Sequence, residues 1–309
     1  MNKEKIIITG YENPDLDNIA SAYAYREYLG LKNIKAEIGI FGIPHPEAQF
    51  LMDYLGIKLK KIGRILKSKD KIILVDCSEP GWIYPKIKNS QVVEVYDHRA
   101  VNRSEDFKKA KKQIELVGAC ATLIAEKFCE DKIKPSKETA ILIYTAIISN
   151  TINFQANVTT SRDKKVAQWL KRREKISKNL IHQMFAHKSE LKGSVDKILL
   201  KDLAVNQFGG KKFTIFQLEI INVAKFVKNY LAKIKKTLIK AKNKENFDFV
   251  FLTCVDLEKG KNTFVAADEE SQKVVSETLK VKFKNGIANY REVIMRKEIM
   301  PKLKEYLEK

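Results

Sequence analysis

Two aspartates, Asp15 and Asp17, stand two residues apart in Asn13-Pro14-Asp15-Leu16-Asp17, between the apolar run Ile6-Ile7-Ile8 and a helix-forming stretch over residues 18–29. At that spacing in a strand-to-helix turn both carboxylates can point into one crevice, where their repulsion requires a cation or a cage of hydrogen-bond donors. Pro14 fixes its own φ and biases Asn13 away from helix, so the turn is stiff. The simpler role is a helix cap by Asp17 or Asn18. Taken alone, the turn supports both readings.

The remaining acids decide between them. Asp76 follows the apolar run 72–75, and Asp97-His98 follow the run 92–96. Runs at 6–9, 36–40, 72–75 and 92–96 alternate with helical patterns at 46–55, 118–128, 137–148 and 162–174, which predicts βαβ units and a largely parallel sheet. Ligands of such sheets bind outside the carboxyl ends of the strands, so Asp15, Asp17, Asp76, Asp97 and His98 should share one rim. Four acids and an imidazole suit Mg²⁺ or Mn²⁺, and the nitrogen favours Mn²⁺. Two such cations about 4 Å apart can activate a water and stabilise both oxygens of an in-line displacement, the chemistry of a phosphohydrolase.

A chain of 309 residues exceeds one ordinary core and predicts two domains. The expected division is residues 1–187, a hinge at 188–194, and a smaller mixed α/β domain over 195–309. In that second part, 197–200 and 212–221 read as strands, 223–239 as a strongly amphipathic helix, and 247–255 with 263–267 as a strand pair around Lys259-Gly260-Lys261. The segment 177–193 has mixed polarity and ends in Lys-Ser-Glu-Leu-Lys-Gly, which places the interdomain connection near residues 186–194. Four scattered cysteines without a Cys-x-x-Cys pair, no apolar stretch long enough for a membrane span, and too short an apolar stretch after Met1-Asn2-Lys3 for a signal peptide point to a reduced, cytoplasmic protein. The net charge of +20 favours polyanions such as phosphates, yet no aromatic-interleaved basic motif predicts nucleic-acid binding. His45, His182, His187 and Cys77 lack acids or bases at useful spacing and read as structural.

The chain resembles the DHH phosphoesterase superfamily, and specifically the manganese-dependent family II inorganic pyrophosphatases with a DHHA2 second domain. Gly10 to Asp17, with Ser21-Ala22 and Ala24-Tyr25, is similar to that family's G-H-x-N-P-D-x-D and S-A-x-A-Y. Leu55-Gly56-Ile57, Val75-Asp76, Asp97-His98, Val117-Gly118 with Ala121-Thr122, and Thr160-Ser161-Arg162-Asp163 follow in the family's order. Arg296-Lys297 before Pro301 resembles its phosphate clamp. The resemblance implies metal ligands at Tyr11, Asp15, Asp17, Asp76, His98 and Asn150, with Tyr11 and Asn150 standing where the family has His and Asp. A phenol with an ordinary pKa of about 10 is a poor ligand at neutral pH and an amide adds no charge, so one of two sites could remain for Mn²⁺, Mg²⁺ or Co²⁺.

The D-H-H motif reads Asp97-His98-Arg99, as in the prune-type exopolyphosphatases, and a guanidinium offers paired donors to phosphate. The family's second-domain substrate lysine aligns with Ala204, near Lys201. The expected activity is hydrolysis of pyrophosphate bound between the domains, with Asp15, Asp17, Asp76, Asp97 and His98 at the reaction and Arg99, Arg296 and Lys297 on phosphate. Short-chain exopolyphosphatase is the alternative substrate reading. A weak or inactive homologue that binds a phosphorylated ligand or a protein partner is the alternative class, motivated by Tyr11, Asn150 and Ala204. Family members often pair through the first domain, which implies a homodimer.

Overall fold

The structure, a computed structural model, describes residues 4–99, 102–191 and 193–308. Met1-Asn2-Lys3 and Lys192 of the expected connection lie outside that range. The chain divides into two compact units, Met1–Phe154 with Val158–His187, and Gln155–Asn157 with Lys188–Lys309.

The first unit holds strands β1 (Ile6–Thr9), β2 (Ala36–Ile40), β3 (Lys60–Lys61), β4 (Lys71–Val75), β5 (Val92–Asp97) and β6 (Lys111–Ile114). Its helices are α1 (Leu16–Leu31), α2 (Pro46–Tyr54), α3 (Cys120–Glu130), α4 (Lys137–Asn150), α5 (Ser161–Arg173) and α6 (Lys178–Lys188). The strands form one sheet in the order β3-β2-β1-β4-β5-β6, and every pairing is parallel. Ile7 and Ile8 of β1 face Ile72 and Ile73 of β4, and these side chains are at most 1% exposed. Such continuous apolar runs are what a parallel strand covered on both faces requires. The order reverses between β1 and β4, and it is there that a doubly wound sheet opens a crevice beyond its carboxyl ends. Residues 177–193, a segment whose mixed polarity predicts no element, include a full helix, α6, which runs into the expected connection and whose Leu180, Met184 and Phe185 are buried. Its polar residues occupy the other positions, and mixed polarity hid the period.

The second unit comprises α7 (Val195–Lys201), β7 (Asn206–Phe208), β8 (Lys211–Ile220), α8 (Val223–Glu245), β9 (Phe249–Asp256), β10 (Lys261–Ala266), α9 (Glu269–Leu279), β11 (Ile287–Tyr290) and α10 (Arg296–Leu307). Its sheet has the order β11-β10-β9-β8-β7, with β8 and β9 parallel and the other neighbours antiparallel. Side chains alternate along β8 and β9: Phe216, Leu218, Leu252 and Cys254 join α7 and α8, whereas Phe213, Ile215, Phe249 and Phe251 join α9 and α10. This period of two feeds a core on each face. Residues 197–200, expected as a strand, lie in helix α7. Val195 and Leu199 are its buried positions, four apart, and a run that short does not distinguish helix from strand by pattern.

No helix among the described residues is long and apolar enough to cross a membrane. Leu74 is wholly buried on β4, two residues before Asp76. Leu74→Ala should lower unfolding stability by about 2–5 kcal/mol, read by chemical denaturation, and a loss under about 1 kcal/mol would contradict this packing.

Candidate metal centre

Three strand ends deliver the site. β1 leads through Gly10 into the turn that opens α1, β4 leads into Asp76, and β5 ends at Asp97, followed by His98 and Arg99. Asn18 of α1 donates Nδ2 to the Val75 carbonyl at 3.0 Å, crossing Gly10 so closely that a Cβ there would lie 1.7 Å from that nitrogen. Glycine at position 10 thus lets α1 dock against the end of β4.

Asp15 is the N-cap of α1: its Oδ1 accepts from the Asn18 amide at 3.0 Å. The cap expected of Asp17 or Asn18 belongs to Asp15, which stands at the distance from which a side-chain oxygen reaches the amide three residues on. Asp17, one residue into the helix, turns inward and is wholly buried. Its Oδ2 accepts from Cys120 N at 2.7 Å and Asn150 Nδ2 at 2.8 Å, and its Oδ1 from Ala121 N at 2.8 Å and Ser21 Oγ at 3.4 Å. The two amides open α3, where backbone donors without helical partners and the helix dipole both favour an anion.

Asp76 is also wholly buried, and its φ of 52° puts a non-glycine residue in the left-handed region at the strand end. Neither of its oxygens has a hydrogen-bond partner, although Arg99 Nη1 lies 3.1 Å and His98 Nε2 3.3 Å from Oδ1. His98 Nδ1 is 3.0 Å from the Val117 carbonyl. Donation to that carbonyl places the ring proton on Nδ1 and directs Nε2 inward, 3.7 Å from Asp17 Oδ2. One ligand atom from each of Asp17, Asp76 and His98 lies within 4.8 Å of the others. Two buried carboxylates, that of Asp76 without a hydrogen bond, and one imidazole nitrogen fit a divalent cation, and the mixed oxygen and nitrogen set suits Mn²⁺.

The electrostatics agree. Burial, then the charge of Asp76, raises the Asp17 carboxyl to about 8, and burial raises Asp76 as well. Burial opposes a charge on His98, yet the close approach and charge of Asp76, with Asp17 adding, raise it above its ordinary value. All three groups are shifted toward their protonated forms, so a cation binding there competes with protons.

The other expected residues take different places. Burial, then the charges of Asp76 and Asp15, hold the Tyr11 hydroxyl well above its ordinary range, so it stays protonated. The Arg99 guanidinium carbon lies 5.4 Å from the Tyr11 ring centre and 5.8 Å from that of Trp82. Arg99 Nη1 also donates to the Asp76 carbonyl at 2.6 Å and to Asp97 Oδ1 at 2.9 Å. Asp97, wholly buried, further accepts from the His98 amide at 2.7 Å and from Ser78 Oγ, so it orders the residues beside it. Asn150, the last residue of α4, donates to Asp17 through its amide nitrogen. Burial pushes the Cys77 thiol up to about 12, as a packed residue requires. In the second unit, Arg296 opens α10 with Nη1 2.8 Å from Asp202 Oδ2 and 2.9 Å from the Ile215 carbonyl, while Lys297 beside it is exposed. Lys201 and Ala204 are exposed there too. Sequence reasoning missed the Cys120 and Ala121 amides, the Val117 carbonyl, Ser78 and Trp82. The predicted helix start near residue 118 was the available signal for the amides; Trp82 had none.

Residues 5–147 match the model of the DHH family, N-terminal domain. That match lies within the first unit, whose parallel sheet and strand-end acids are thus similar to those of a DHH-family N-terminal domain. It is similar over 98% of its length, at 29% identity, to a Clostridium acetobutylicum protein named "Probable manganese-dependent inorganic pyrophosphatase", 98% of which is covered. The manganese-dependent inorganic pyrophosphatase of Bacillus subtilis is 27% identical over 97% of this chain and 98% of its own. A Methanococcus jannaschii structure of the family II inorganic pyrophosphatase type superposes with a TM-score of 0.68 at 24% identity, covering 98% of this chain and all of that one, which establishes the two-unit α/β fold. Over nearly its whole length, this chain is similar to proteins named as manganese-dependent inorganic pyrophosphatases.

Because protons and cation compete, the apparent affinity for Mn²⁺ should rise from pH 6 to pH 8.5, as calorimetric titration in several buffers would show; a flat profile would contradict the shared protons. The same groups have folded-state values above their unfolded ones, so the metal-free fold should lose thermal stability as pH climbs through about 8, the value to which Asp17 is raised. Asp17→Asn, Asp76→Ala and His98→Ala should each weaken Mn²⁺ at least about tenfold, which is about 1.4 kcal/mol.

Proposed function

We propose that this protein is a manganese-dependent inorganic pyrophosphatase whose cation is held by Asp17, Asp76 and His98. The observation that carries the reading is the convergence of those three ligand atoms within 4.8 Å at the switch point of the sheet, with neither Asp76 oxygen hydrogen-bonded. Near-full-length similarity to proteins named for that activity supports the substrate. When bound, the cation supplies Lewis acidity, lowering the pKa of a water and drawing charge from a phosphoryl oxygen.

The residues of this chain do the positioning. The α3 amides and Asn150 aim Asp17, the Val117 carbonyl aims Nε2 of His98, and Asp97 holds Arg99 against Asp76. Arg99 is the positive group beside the ligand cluster and is assigned to the charge that develops on the transferred phosphoryl group. Its guanidinium plane is bounded by Tyr11 and Trp82, which limits its motion. Asp15 borders the cluster as a cap and a source of negative potential. Arg296 and Lys297 are assigned phosphate contacts on the motif they form.

Arg99 also supports a second reading, hydrolysis of short polyphosphate, since a planar donor can serve a further phosphoryl group. Phosphate release from pyrophosphate and from tripolyphosphate, each with Mn²⁺, separates the two. The expected result is release from pyrophosphate that falls at least about a hundredfold, about 2.7 kcal/mol of barrier, in Asp76→Ala. Release from tripolyphosphate alone would select the second reading, and no release above the Asp76→Ala level would leave a non-catalytic phosphate binder.

A further inference from the structure

Asp163 is wholly buried at the start of α5. Its Oδ2 accepts from the amide and the hydroxyl of Thr160, both at 2.7 Å, which close the capping box of α5. The same Oδ2 accepts from the Gly118 amide at 2.9 Å, and Oδ1 accepts from Thr122 Oγ1 at 2.6 Å. A helix cap needs only its own first turn. This carboxylate binds, in addition, both ends of a segment 41 to 45 residues away in the chain.

That segment is the one that aims the ligands. Val117, immediately before Gly118, gives its carbonyl to His98 Nδ1, and Cys120 and Ala121, immediately before Thr122, give their amides to the two oxygens of Asp17. Position 118 is closed to a side chain: a Cβ would stand 2.5 Å from Thr151 Cγ2 and 2.9 Å from Asp163 Oδ2. Glycine there lets the backbone come down onto the carboxylate.

We propose that Asp163 is a positioning residue of the metal centre, which sets His98 and Asp17 at ligand spacing through the backbone of residues 117–122. The proposal rests on the metal centre assigned above. Groups that orient metal ligands through hydrogen bonds carry a large share of affinity because an ion tolerates little error in ligand placement. The amide of Asp163→Asn can keep its oxygen at the Oδ2 position and turn its nitrogen to the Thr122 hydroxyl, which accepts as well as donates. That variant should therefore rescue what Asp163→Ala loses.

Calorimetric titration of the full chain with manganese chloride, with Tm recorded for each variant, tests this. Asp163→Ala and Gly118→Ala should weaken Mn²⁺ about 10–100-fold, while Asp163→Asn stays within about threefold of wild type. Asp70→Ala serves as the control, because Asp70 is equally buried and accepts from the Lys5 and Lys67 amides at the opposite end of β4. Unchanged affinity in Asp163→Ala overturns the proposal, as does an equal weakening in Asp70→Ala at the same loss of Tm. Where Asp163→Ala does not fold, Gly118→Ala against Asp163→Asn carries the same expectation. Wild-type protein that binds no Mn²⁺ overturns the metal centre itself and this role with it.

Discussion

Two buried carboxylates and an imidazole drawn to one point are the constraint to which the first unit answers. Removing a carboxylate from water costs several kcal/mol even after relaxation, and a second like charge beside it adds to that cost. Asp17 offsets the cost with two backbone amides, an amide side chain and a more distant hydroxyl. Hydrogen bonds to a charged group stabilise by about 1.5–3 kcal/mol each. Asp76 has no such cage. Its oxygens are buried without hydrogen bonds, one of them approached by Arg99 and His98, in a backbone conformation that L residues rarely adopt. A fold keeps so costly an arrangement where the missing partner is a cation.

The two departures at the family's ligand positions follow from the same balance. Asn150 gives its nitrogen to Asp17, so the position that would carry a further negative charge instead supplies a donor. Tyr11 remains a protonated phenol beside Asp15 and Arg99, where its ring supports the guanidinium rather than a metal. Arg99 brings a permanent positive charge within 3.1 Å of Asp76. The chain therefore places a fixed cation, Arg99, and two neutral groups, Tyr11 and Asn150, beside a cluster of three ligands.

Much of this was legible in the sequence because the site is built from strand ends. β1 and β2 have the bounds read from their apolar runs, and Asp17, Asp76 and His98 stand where a parallel sheet must gather them. Polar edge strands were not legible: Lys111–Ile114 has no alternating apolar face, and Lys60–Lys61 is two lysines held by one neighbour. Helix α7 offered too few apolar positions to separate a period of 3.6 from one of 2. Least legible were the groups that aim the ligands. The Cys120 and Ala121 amides and the Val117 carbonyl belong to the backbone, which every residue carries, so no residue type announces them. Thr160 to Asp163 showed the spacing of a capping box, but that Asp163 also holds Gly118 and Thr122 depends on tertiary packing.

Anomalous diffraction at the manganese edge, from crystals soaked in Mn²⁺, tests the central claim most directly. The expected result is an anomalous peak bounded by carboxylate oxygens of Asp17 and Asp76 and by Nε2 of His98, with Tyr11 outside the coordination sphere. No peak at that position under saturating Mn²⁺, or a peak ligated by the Tyr11 oxygen in place of His98, would contradict it.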